Sequence, residues 1–274
     1  MAIQAADVAK LRKMTGAGMM DCKKALEEAN GNFEEAEKII RQRGQEVAKK
    51  RSDRDATEGA VLAKVSDDKK TGAIVVLNCE TDFVAKNEDF VKFTTKILDI
   101  AIAQKPADLE ALKALQMDGS TVGEKVMEQV GIIGEKIELS YYVLAQAENM
   151  SAYIHPGNKL ASLIGFDKQV DEQIGRDVAM QVAAMAPVSI DKDSVPAEII
   201  AKELDIYKEK ARNEGKPEEM LDKIAEGRMN KFFKESTLLE QEFVKEGKKS
   251  VAQYIKENAG DTKVVAMERF TLNA

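Results

Sequence analysis

Residues 78 to 90 read "NCETDFVAKNEDF". An acid and a large aromatic, Asp82 and Phe83, stand side by side between Thr81 and Val84, just after an apolar run from Ala73 to Leu77. A strand end is where a fold presents working side chains, so the pair is either a turn with a core anchor or a tool. On spacing alone Phe83 reads as a core anchor rather than an exposed wedge. Asp82 reads as an acid facing the positive end of a helix's first turn. The other candidate is the single histidine, His155, before Pro156-Gly157. A lone histidine in such a turn reads as a surface or hydrogen-bonding residue.

The usual catalytic constellations are missing. No GxSxG elbow occurs, and no Cys-His cluster can hold zinc. "TGAGMMDCKK" carries glycine and lysine but lacks the loop length of a phosphate cradle. The acids are scattered at helix-face spacing, as solvated faces are. The reading is therefore no catalytic residue, no metal, no cofactor, and a protein that works by binding. An enzyme of unrecognised type stays as an alternative.

The 274 residues carry 41 Lys and Arg against 48 Asp and Glu, a net charge of −7. A nucleic-acid binder needs a basic footprint to displace counterions from phosphates, so direct nucleic-acid binding is not expected. The charge is uneven: residues 1–54 hold 12 basic and 9 acidic side chains, leaving −10 on the rest. That basic module keeps an RNA-associated helical protein as a second alternative. Cys22 and Cys79 form no CxxC and no disulfide framework, which fits a reducing compartment. No signal core and no run approaching ~18 apolar residues is present, so a cytoplasmic protein without a membrane span is expected.

The elements that position these residues follow from periodicity. Val8, Leu11 and Met14 mark one helix, Cys22, Ala25, Leu26 and Ala29 a second, and Phe33, Ala36 and Ile40 a third. Asn30-Gly31 closes the second, and Asn32 caps the third with Glu35 as reciprocal partner. Residues 44–59 read as a polar linker or as the frayed end of a helix. Two strands follow, Gly59 to Val65 and Gly72 to Asn78, around "SDDKKTG". A helix from about Glu88 to Ala103 buries Phe90, Phe93, Ile97 and Ile100. Residues 108–129 read as helical again, and Lys136 to Ala145 as a third strand. The pattern recurs: a hairpin around His155 to Asn158, a helix ended by Pro187, and a last strand, Thr262 to Leu272. The second insert, residues 195–232, holds two charged helical runs joined at Gly215-Lys216-Pro217, an αα-hairpin signal.

"LRKMTGAGMMDCKKALEEANGN" (Leu11 to Asn32) and "NCETDFVAKN" (Asn78 to Asn87) closely resemble the bacterial translation elongation factor Ts family. "IGEKI", "YIHPG" and "EGRMNKF" look like further family segments, so the resemblance covers essentially the whole chain. It implies an α+β fold. A three-helix module similar to ubiquitin-associated domains, with its linker (1–54), precedes two related α+β subdomains, 55–147 and 148–274. The second carries a protruding helical hairpin at about 195–232, a candidate surface for self-association. The resemblance also implies a guanine-nucleotide exchange factor whose partner is elongation factor Tu. In that family Thr81, Asp82, Phe83 and Val84 would insert beside the partner's nucleotide site and disturb the residues that hold Mg²⁺. Ile133, Gly134 and His155 would be further partner contacts, as would Arg12, Met19 and Met20, though the two methionines can equally pack between helices. Longer members carry an extra C-terminal helical module; this chain runs only to "ERFTLNA", so contacts of that module are not expected.

Overall fold

The computed structural model describes residues 3–272. It opens with α1 (Ala5–Thr15), α2 (Met19–Glu28) and α3 (Phe33–Lys50). Their core is Val8, Leu11, Cys22, Ala25, Leu26, Ala29 and Ala36, with Phe33 and Ile40 packed at its margin. Met14 does not join it and lies exposed. The helix ends one residue later at Thr15, closed by left-handed Gly16, φ 73°, so no further turn continues the stripe. Asn32 caps α3, its Oδ1 accepting from the Glu35 amide at 3.2 Å.

Two halves of the same topology follow. The first holds β1 (Glu58–Val65), β2 (Thr71–Cys79), α4 (Asp82–Ala85), α5 (Glu88–Gln104), α6 (Leu109–Ala114), β3 (Gln116–Met117), β4 (Ser120–Thr121), α7 (Val122–Ile133) and β5 (Glu138–Gln146). The second holds β6 (Asn149–Ile154), β7 (Leu160–Phe166), α8 (Glu172–Met185), α9 (Ala197–Asn213), α10 (Leu221–Ser236), α11 (Val251–Ala259) and β8 (Val264–Thr271). Each makes a three-stranded antiparallel sheet, in orders β1-β2-β5 and β6-β7-β8. Each also has a bulge in its last strand. The partner of Val76 is Tyr141 and that of Leu77 is Leu139; the partner of Gly165 is Ala266 and that of Phe166 is Val264. The repeat expected from the sequence is present at this level of detail.

The two sheets stack. Val61, Ala63, Ile74 and Val76 meet Met150, Ala161 and Leu163 between them. The alternate residues Ala60, Leu62, Val75 and Leu77 face Phe90 and Ile97 of α5 and Val126 of α7. On the far side Ile164 and Phe166 meet Val178 and Val182 of α8 and Ile255 of α11. β2 is buried along its whole length, which is why it reads as an apolar run rather than an alternating one.

Three expectations need correction. Residues 108–129 are not one helix: α6 and α7 are separated by β3 and β4, which pair around Asp118 and Gly119, φ 48° and 85°. Asp-Gly is a short-hairpin signal, because both residues tolerate positive φ. On α5 the fully buried face is Phe90, Thr94, Ile97, Leu98 and Ala101, while Phe93 and Ile100 sit half-buried at its edge. And residues 44–50 are not linker. α3 continues through them because it has a face to bury: Val47 and Ala48 pack on the first core, and Gly44 crosses Gly131 of α7 so closely that a Cβ on Gly131 would lie 2.4 Å from the Gly44 Cα. α9 and α10 pack chiefly on each other across the turn at Gly215, with Ala211, Leu221, Ala225 and Met229 buried between them. Among the described residues no helix is long and apolar enough to cross a membrane.

Candidate functional site

β2 delivers the chain to a corner. Beyond Cys79 the backbone leaves the sheet, and Thr81 caps the single turn of α4, its Oγ1 facing the Val84 amide at 3.5 Å. One turn has only one inward face. Ala85 is buried and Val84 is half-buried against the first core. Phe83 is left pointing outward, 84% exposed. The core-anchor reading of Phe83 is therefore wrong. A large apolar side chain held in water is the informative exception to burial.

Asp82, beside it, is ionised and paired. The Lys86 ammonium donates to its Oδ2 at 2.6 Å. That bond holds the carboxyl below its ordinary range, with Lys159 adding attraction at longer distance.

The corner is locked from below. Glu135 Oε2 accepts from the backbone amides of Glu80, at 3.1 Å, and Thr81, at 3.0 Å. Its Oε1 accepts from the Thr81 hydroxyl at 2.7 Å. Glu80 returns the exchange: its Oε1 accepts from the Lys136 amide at 2.6 Å, and Arg51 Nη1 donates to both its oxygens at 2.8 and 2.9 Å. The Lys136 amide, then Arg51, hold the Glu80 carboxyl below its ordinary range. The Cys79 thiol donates to Thr81 O at 3.2 Å, and burial pushes it up to about 12, so it is no nucleophile at neutral pH.

Ile133 and Gly134 stand directly before Glu135. Ile133 ends α7 and packs on the first core; Gly134, φ 79°, closes the helix with its N–H donating to Val130 O at 2.9 Å. Their loop is thus the one bonded to the corner. The His155 turn reaches the same end of the first sheet. Asn158 O accepts from the Val61 amide at 2.7 Å, and Lys159 Nζ lies 2.8 Å from Glu58 Oε2. Pro156 and Gly157, φ 93°, occupy the central positions of a turn closed by Asn158 N–H to His155 O, as a type II turn requires. His155 itself is exposed, its Nδ1 3.1 Å from the Tyr153 hydroxyl.

Arg12, Met19 and Met20 stand apart. All three are exposed on α1 and at the start of α2, so the methionines are not packed between helices. Among the described residues no hydrogen bond or ion pair joins them to the corner. Glu80, Glu135, Arg51 and Lys136 do not stand out in the sequence. No spacing rule links a carboxylate to amides more than fifty residues away; the one hint for Glu135 is its place just after a helix-closing glycine.

Chemically the corner offers shape and charge: one exposed aromatic and one ionised acid on a braced turn. The family model described as elongation factor TS matches residues 80–274, beginning at this corner. The elongation factor Ts of Porphyromonas gingivalis is 50% identical over 275 residues, covering all of both chains. That of Christiangramia forsetii is 50% identical over 272 residues, 98% of each chain, and that of Bacteroides fragilis 42% identical over the whole of both. The chain belongs to the elongation factor Ts family, the factors of translation elongation.

Proposed function

We propose that this protein is the guanine-nucleotide exchange factor of elongation factor Tu. It binds the GDP-bound GTPase, disturbs the residues that hold Mg²⁺, and promotes GDP release so that GTP can enter. The observation that carries the reading is the 84% exposure of Phe83 beside ionised Asp82 on a turn braced by Glu135 and Glu80. An exposed aromatic costs the free protein solubility, and it repays that cost only in a partner's pocket.

In this reading residues 1–54 dock through Arg12, Met19 and Met20. Residues 55–147 deliver Thr81, Asp82, Phe83 and Val84, with Ile133 and Gly134 beside them. Residues 148–274 bring His155 to the same face. Phe83 supplies dry contact area between partner side chains. Asp82 meets the cation-holding residues, and to do so it leaves Lys86. Loosening Mg²⁺ removes a large charge that clamps the phosphates. The factor and GDP disfavour each other on the GTPase by one shared coupling energy, so nucleotide in turn expels the factor. No covalent bond is made or broken. The site of action is the cytoplasm, with the GTPase.

The test is GDP release. Elongation factor Tu is loaded with a fluorescent GDP, excess unlabelled nucleotide is added, and the decay is followed with catalytic amounts of this protein. Many-fold acceleration by the native chain, weakened in Phe83→Ala, is expected. Binding without acceleration would make the protein an adaptor and sink the reading.

A further inference from the structure

We propose that Glu135 is the positioning residue of the exchange corner, acting by reach rather than by charge; the proposal rests on the exchange reading above. Its carboxylate accepts three hydrogen bonds from the first two residues after β2: from the Glu80 amide, the Thr81 amide and the Thr81 hydroxyl. Those two amides leave the sheet at Cys79 and are too early in the chain to bond within α4. Without Glu135 they have no protein acceptor, and a backbone group left so favours whichever conformation wets it. The conformation lost would be the one that aims Phe83. α4 itself cannot prevent this. It is one turn long, its cap bond is long at 3.5 Å, and an isolated turn is far below the length at which a helix holds itself.

Charge is not what the geometry asks of Glu135. Each contact is a donor on the corner meeting an acceptor on the side chain, and the corner's cation, Arg51, is paired with Glu80 rather than with Glu135. A glutamine has the same length. Its carbonyl can take both amides, while its NH₂ donates to Thr81 Oγ1 and the hydroxyl proton turns away. An aspartate keeps the charge but is one methylene short. Its oxygens fall back by about 1.5 Å, half the length of each bond.

The prediction inverts the usual order of conservative replacement. Rates of GDP release are measured against factor concentration for the native chain, Glu135→Gln, Glu135→Asp and Glu135→Ala. Glu135→Gln keeps the maximal rate within about threefold. Glu135→Asp and Glu135→Ala lower it about tenfold, the rate equivalent of roughly one lost hydrogen bond. Their half-saturating concentration moves by less than about threefold, because docking by the helical module is untouched while a loose corner must be ordered during insertion. The chain has no tryptophan, so Phe83→Trp makes a single emission reporter. Its anisotropy decay in the free protein gains a faster local component when combined with Glu135→Asp but not with Glu135→Gln. Should Glu135→Ala melt early, the Asp and Gln pair carries the test alone. If Glu135→Asp retains the rate while Glu135→Gln loses it, or if the reporter indole moves alike in both, the positioning role is overturned. If the native chain fails to speed GDP release, the exchange reading falls, and the indole anisotropy decays still decide whether Glu135 fixes the corner.

Discussion

The two halves place a corner at the same point of the same topology, after the middle strand, and build it differently. After β7 the chain passes through Asp167 to Asp171 and enters α8 directly, with Asp171 Oδ1 capping through the Gln173 amide at 2.8 Å. Asp167 is pinned to the residue just before the last strand: its Oδ1 accepts from the Lys263 amide at 2.8 Å, and its amide donates to Lys263 O at 3.0 Å. After β2 the chain is also pinned to residues just before the last strand of its sheet, Glu135 and Lys136. The slot therefore comes braced in both copies. The first half adds one turn, α4, and an outward aromatic. The second adds no such turn, and places its insertion in the α9–α10 hairpin instead. A repeated fold supplies a braced corner twice, and a single extra turn gives one of them an outward aromatic.

The comparison breaks most sharply at Phe83. Phe83→Ala should lower acceleration of GDP release by about 30- to 1,000-fold, the range of a truncated interface anchor. The melting temperature should stay within about 2 °C, because so little of the side chain is buried. Parallel exchange assays and melts check both halves of the statement. A smaller but still clear effect is expected where the helical module braces only the first corner. Gly131→Ala gains up to about 1 kcal/mol of helix propensity. It nonetheless drives a Cβ into the Gly44 backbone, which does not swing aside as a side chain would, at about 1–3 kcal/mol. Denaturant unfolding should show a net loss, and limited proteolysis should cut residues 50–57 faster.

Acid should separate the corners by degree. Glu80 has its carboxyl held below the ordinary value of 4.5 by the Lys136 amide and Arg51. The folded state thus binds that proton less readily than the unfolded chain. The stabilisation is complete above 4.5 and disappears as the pH falls through the lower folded value. The melting-temperature gap between the native chain and Glu80→Gln should be full at pH 7 and close below about 4.5; a gap that persists in acid would contradict this assignment. The smallest effect belongs to the second corner. Lys168→Ala removes only the exposed ion pair to Asp261, so exchange should be unchanged and melting should shift by no more than about 2 °C.

Periodicity carried most of the fold. Cys22, Ala25, Leu26 and Ala29 lie buried as their spacing requires, and the strand-strand-helix-strand repeat is visible from apolar runs and turns. It failed where the deciding partner is distant. Val47 and Ala48 look like part of a charged linker until the first core is there to receive them. Phe83 looks like an anchor because four residues are too few to show a face; which side is inward is decided by Val84 and Ala85 against β1 and β2. The Asp118-Gly119 turn is legible and is hidden only by the helical residues around it. For the candidate site, motif resemblance pointed to Thr81 to Val84, but not to the residues that hold their turn. Glu135 and Arg51 act on the corner from far along the chain, and no local pattern records that.

The connectivity of the halves also orders their assembly. The ties that brace the Phe83 corner lie between Arg51 and Lys136, and its sheet is complete once Gln146 pairs with Thr71. The second sheet waits far longer: Leu160 pairs with Thr271 only after the whole α9–α10 hairpin and the following loop have been made. Closing that larger loop costs more entropy and comes later, both in refolding and during synthesis from the N-terminus. The braced corner is thus expected to form early and β8 last. Pulse-labelled hydrogen exchange would show this as protection of β2 amides while β8 still exchanges freely.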